Sequence, residues 1–89
     1  MISIALSNSF KRAYSKLIKN NKYLEELFIN RLETFINNPF DPLLKTHKLS
    51  GKLSETWSFS INFQLRVLFV FIDTDQVILE NIGNHDNVY

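Results

Sequence analysis

Eight side chains in this sequence have the chemistry to move protons or hold phosphates: Lys45, His47, Lys48, Lys52, Arg66, His85, Asp86 and Tyr89. Together they supply two imidazoles, one guanidinium, several ammoniums, a carboxylate and a phenol. Such a set suits cleavage of a phosphodiester that carries its own 2′-hydroxyl nucleophile. A base takes the 2′ proton, an acid protonates the leaving 5′ oxygen, and cations stabilise the charge that builds on phosphorus. Each residue also has a plainer reading. His47 can cap or face solvent. Arg66 can open a strand in solvent or pair with Glu55. Asp86 can stabilise a turn after Gly83, and Tyr89 can cover the core with its ring. The sequence has no Cys and no HExxH spacing, so it offers no metal-ligand motif. With two glycines in all, it has no glycine-rich phosphate loop, and no cofactor is expected.

Eighty-nine residues make one expected domain, 1–89. A hydrophobic fraction of 45% with eight Phe is enough for a core and unlike a disordered chain. The absence of Cys fits a reducing compartment. The longest apolar run, Val67 to Ile72, is far too short to span a membrane. "MISIALSNSF" lacks the basic and apolar regions of a secretory leader, so a cytoplasmic location is expected. Net charge is +1, unevenly spread. Lys11, Arg12, Lys16, Lys19 and Lys22 give the first 22 residues +5 with no acid, and Lys45, Lys48, Lys52 and Arg66 against Glu55 give residues 42–72 +3. These blocks are either solvated faces or, if merged, a surface that attracts phosphates.

The elements that must position these residues are read from periodicity. Ile2, Ile4 and Leu6 alternate as a first strand. Ser7 or Asn8 can cap a helix whose face is Phe10, Ala13, Tyr14, Leu17 and Ile18. Asn21 can cap a second helix lined by Leu24, Leu27, Phe28, Leu32, Phe35 and Ile36, which Pro39 ends. Two such helices with a short joint form a hairpin. Beyond Leu43 the period becomes two. "KTHKLSGKL" reads as a strand with a turn or bulge near Gly51. Trp57, Phe59 and Ile61 read as the single buried face of the next strand. "NFQL" is a turn, "RVLFVFI" a central strand apolar on both faces, and "VILENI" a last strand before a turn at Gly83. The fold class is α+β: an N-terminal strand, a helical hairpin, then a C-terminal antiparallel sheet of three to four strands.

Four stretches carry a family resemblance: "FKRAYSKLIKNN", "NPFDPLLKTHKLSGKL", "WSFSI" followed by "LRVLF", and "NIGNHDNVY". Across the whole chain the sequence resembles the RelE/ParE superfamily of toxins from type II toxin–antitoxin systems. It is most similar to the RelE/StbE or YafQ-like mRNA interferases. The resemblance implies a RelE-like fold and metal-independent cleavage of mRNA in the ribosomal A site. It implies inhibition of translation and neutralisation by a cognate antitoxin. It places His85 as catalytic acid or base, Arg66 as phosphate stabiliser, and His47 as the complementary acid/base or an RNA contact. It makes Lys45, Lys48, Lys52 and Tyr89 RNA-binding. The chain departs from the family at Ser58 and Asn81, where relatives carry Arg. It departs again in the uncharged stretch Ser60–Gln64, where YafQ-like members carry a further His or Asp. A ParE-like toxin that binds DNA gyrase, or an inactive antitoxin-binding member, are the alternatives.

Overall fold

A computed structural model describes residues 1–51 and 55–88. Ser3–Leu6 forms β1, followed by helices α1 (Asn8–Ile18) and α2 (Lys22–Asn37). A single 3-10 turn, Pro42–Leu44, leads into β2 (His47–Lys48), β3 (Trp57–Ser60), β4 (Leu65–Asp73) and β5 (Gln76–Asn84). The last element, α3, is one helical turn, His85–Val88.

The helix boundaries follow from the caps. Ser7 Oγ accepts the Phe10 N–H at 3.0 Å, and Asn21 Oδ1 accepts the Leu24 N–H at 3.0 Å, each satisfying an orphan donor of the first turn. The chain reverses between the helices through Asn20, whose φ of 58° lies in the left-handed region that Asn tolerates better than most residues. Helix α2 stops at Asn37, two residues before Pro39. Between the helices the rings of Tyr14 and Phe28 meet at 4.7 Å.

The sheet has five strands in the order β1-β5-β4-β3-β2. It is larger than the expected three or four, because β1 joins it as an edge strand parallel to β5, pairing Ser3 with Gln76 through Leu6 with Leu79. The sheet is therefore mixed, and only its β2–β5 part is antiparallel. Strand β4 is central, in line with its two-sided apolar sequence. On the helical face Phe35 is fully buried, 4.5 Å from the Phe59 ring and 4.9 Å from Phe69. Phe10, Val67, Leu79 and Ile82 extend the same core. Burial of each such ring or branched chain stabilises the fold by about 1.5–3 kcal/mol before entropy is counted.

Three readings of the strands need correction. Strand β3 is buried on both faces, since Ser58 and Ser60 are 0% and 7% exposed beside Phe59. The strand read in "KTHKLSGKL" is only two residues long, and Gly51 beyond it takes φ +70°, a left-handed turn conformation. Gly83 is not a turn but a residue inside β5, opposite Arg66. A Cβ there would lie 3.0 Å from Val88 Cγ1, so the missing side chain is what lets α3 fold back over the strand end.

Candidate functional site

The turn between β3 and β4 is held from inside. Asn62 Oδ1 accepts the N–H groups of Gln64 and Leu65 at 2.9 and 2.8 Å. Arg66 Nη1 then donates to the carbonyls of Asn62, Phe63 and Leu65 at 2.8, 2.9 and 3.2 Å. One guanidinium nitrogen thus anchors the turn. The other edge of the fork has no partner among the described residues and stays available for an anion. This differs from both plainer readings of Arg66, since no ion pair to Glu55 forms among the described residues.

The end of β5 docks against the same turn. Leu65 pairs with Asn84, and the His85 amide donates to the Gln64 carbonyl at 2.9 Å. This places the His85 ring, about half exposed, at the rim of a cleft of ≈ 470 Å³ lined by Phe63, Gln64, Arg66, Asn84, His85 and Asp86. His85 Nδ1 lies 3.5 Å from an Asp86 oxygen, at the outer limit of a hydrogen bond, and the Asp86 side chain is fully exposed. Such a pair steers the ring without fixing it.

The other expected residues are distributed differently. His47 on β2 pairs with Ser58, which pairs with Leu68, which pairs with Asn81, so these four share one cross-strand row on the face away from the helices. Three inter-strand steps separate His47 from β5, or roughly 14 Å at the usual strand spacing. His47 does not line the cleft. Its Nδ1 faces the Lys45 carbonyl at 3.0 Å, a contact that puts the proton of a neutral ring on Nδ1. Lys45 is exposed in a left-handed turn at φ 52°. Lys48 pairs with Trp57 and so lies on the opposite face from His47. Lys52 and Tyr89 lie outside the described residues. Ser58 and Asn81, the family departures, fall in the His47 row, which is therefore short of charge.

Sequence reasoning missed Phe63, Gln64 and Asn84. Phe63 is 90% exposed at the cleft mouth. Its signal was present: an aromatic between Asn62 and Gln64 in a polar turn has no core face to enter. An exposed ring beside a guanidinium and an imidazole can stack a nucleobase while its phosphate meets the cation. Among the described residues no group of three or more His, Cys, Asp or Glu is arranged to hold a metal ion.

No family model matches the chain, and no curated protein matches it in sequence. Solved structures do share its fold. A metal-bound toxin from Helicobacter pylori superposes with a TM-score of 0.80 at 22% identity, over 100% of both chains. The Escherichia coli DinJ–YafQ complex contains a chain matching at TM-score 0.77 and 16% identity, over 100% of this chain and 99% of that one. The YoeB–YefM complex from Staphylococcus aureus contains another at 0.75 and 21%, over 96% and 98%. The architecture of this chain is therefore that of the RelE-like toxins. Among the described residues no helix is long and apolar enough to cross a membrane.

Proposed function

We propose that the chain is the toxin of a type II toxin–antitoxin system and an mRNA endoribonuclease acting in the ribosomal A site. The observation that carries this is the convergence of Arg66 and His85 on one cleft, both tied to the β3–β4 turn. In this reading the open edge of the Arg66 guanidinium holds the scissile phosphate and Phe63 stacks an adjacent base. The 2′ oxygen, losing its proton, attacks phosphorus. The P–O5′ bond breaks and the 5′ oxygen takes a proton, leaving a 2′,3′-cyclic phosphate and a 5′-hydroxyl. His85 performs one of the two proton transfers. Ribosomal surroundings and solvent complete the other, which accounts for dependence on the ribosome. His47, remote from the cleft, serves as an RNA contact with Lys45 near it, while Lys48 meets the RNA backbone from the other side of the β2 edge. The fold likeness to chains in DinJ–YafQ and YoeB–YefM complexes supports a protein antitoxin as partner.

The test is induced expression of wild type beside His85→Ala, with primer extension on a reporter mRNA. Growth arrest with in-frame cuts that vanish in the variant is expected. Arrest with intact mRNA, unchanged by the substitution, would sink the nuclease reading. It would favour the gyrase-binding alternative, in which His47 and His85 have no catalytic part.

A further inference from the structure

A second cavity, ≈ 340 Å³, lies at the same end of the sheet but on its helical side. Gln64 and Asn84 line both cavities, so the two stand back to back across that pair of amides. The floor of the second is apolar, made by Leu17, Leu24 and Leu65, and Tyr23 stands at its side with 74% of its surface exposed. A tyrosine this open at the first turn of a helix contributes little to the core, whereas a flat amphipathic ring beside a small cavity is a stacking platform.

The polar lining has a definite sense. Asn21 Oδ1 is occupied by the Leu24 N–H, and Asn62 Oδ1 by those of Gln64 and Leu65. The backbone donors fix which end of each amide is oxygen: Asn62 Oδ1 is filled by two N–H groups and Asn21 Oδ1 keeps one lone pair, and each side chain still offers its NH2 as a donor. Two fixed donors ask for acceptors. Uracil and guanine offer exocyclic carbonyl oxygens where cytosine and adenine offer amines. Exposed Lys19 and Lys22 flank the cavity in sequence, within a 22-residue stretch that holds no acid, and supply attraction for a phosphate backbone.

We infer that this cavity is a second nucleotide subsite, in which Tyr23 stacks a keto base adjoining the nucleotide held at Arg66 and His85. The RNA strand wraps from the open face of the sheet around the β3–β4 turn to the helical face, passing over Gln64 and Asn84. The inference rests on the nuclease reading, and the two can fail separately.

The experiment is amide-shift mapping of the isotopically labelled chain with 2′-O-methyl pentauridine and pentacytidine, which cannot be cleaved. Pentauridine is expected to shift the amides of Gln64 and His85 and also those of Tyr23 and Leu24. Pentacytidine is expected to shift the first pair alone. Tyr23→Ala should weaken pentauridine binding roughly tenfold, as loss of one base stack does, and Tyr23→Phe should retain it. Equal binding of the two oligonucleotides with no effect of Tyr23→Ala would overturn the subsite and leave the cleft assignment standing. Absence of any shift at Gln64 and His85 would overturn both.

Discussion

The His85 amide donates to the Gln64 carbonyl at 2.9 Å, joining the end of β5 to the β3–β4 turn by main chain alone. The backbone bond thus sets where the imidazole starts, and the ring itself is about half exposed. His85→Ala should change unfolding free energy by no more than about 0.5 kcal/mol. It should lower mRNA cleavage at least ~100-fold, the usual worth of a positioned acid or base. Thermal unfolding and cleavage in a translation extract, run on the same preparation, check both.

Arg66 behaves differently because its Nη1 also ties the turn. Arg66→Ala leaves the Asn62 and Phe63 carbonyls without this donor, while that of Leu65 keeps the Ile61 N–H, and should cost about 1–2 kcal/mol of stability, along with activity. Arg66→Lys can recover part of the first loss and little of the second, since an ammonium cannot bridge the turn and present a planar edge to phosphate. Urea denaturation and cleavage rates of the two variants separate these contributions.

Lys45 combines a proposed RNA contact with a strained backbone. Its φ of 52° favours glycine. Lys45→Gly should therefore raise stability by about 0.5 kcal/mol, after the extra freedom of the unfolded glycine is subtracted, while RNA affinity falls. A higher denaturation midpoint with weaker binding is the expected pair of results.

Gly83→Ala tests the packing of α3. The added methyl would meet Val88 Cγ1 at 3.0 Å and push the terminal turn, with His85 on it, away from the Gln64 carbonyl. Cleavage should fall severalfold with only a small change in melting temperature. An amide spectrum in which His85 shifts and the core does not would confirm the local displacement.

Burial, and secondarily the charge of Glu25, raises the Tyr14 pKa above its ordinary value of 10.0. The fold therefore favours the neutral phenol. That preference is fully present below the unfolded value and is lost as pH rises through the higher folded one. Wild type should lose more stability than Tyr14→Phe between about pH 9 and pH 11. Denaturation midpoints of the pair across that range measure the difference.

Much of the local structure was legible because it is local. The 3.6-residue stripes gave α1 and α2, Asn21 was a readable cap, and the two-sided apolar run gave β4. Long-range pairing was not legible. Nothing in "SIAL" shows that it will lie parallel to residues 76–79, which is what makes the sheet five-stranded. Alternation also misread β3, because a serine can be buried when its hydroxyl is bonded, and Ser58 is buried and has partners. For the candidate site, Arg66 and His85 were found from residue type. His47 was grouped with them because strand order, which sends β2 to the far edge, leaves no trace in its sequence. Phe63 was overlooked because it was read only as part of the "NFQL" turn, and its exposure at the cleft mouth depends on where β5 ends.

Ser7 caps α1 and also donates its hydroxyl to the Glu80 carbonyl, 73 residues away, where β5 carries an unpaired bulge residue. The first strand and helix are thereby stitched to the strand that leads into the cleft. A chain cut once at the exposed Asn20 joint would still be held together by this seam, with β1 and α1 clasping β5 from a separate fragment. The fold is thus suited to division into two pieces, the larger carrying every residue of the cleft and the smaller the strand and helix that brace β5. In the intact chain the same seam closes slowly, since Ser7 and Glu80 stand 73 residues apart in sequence.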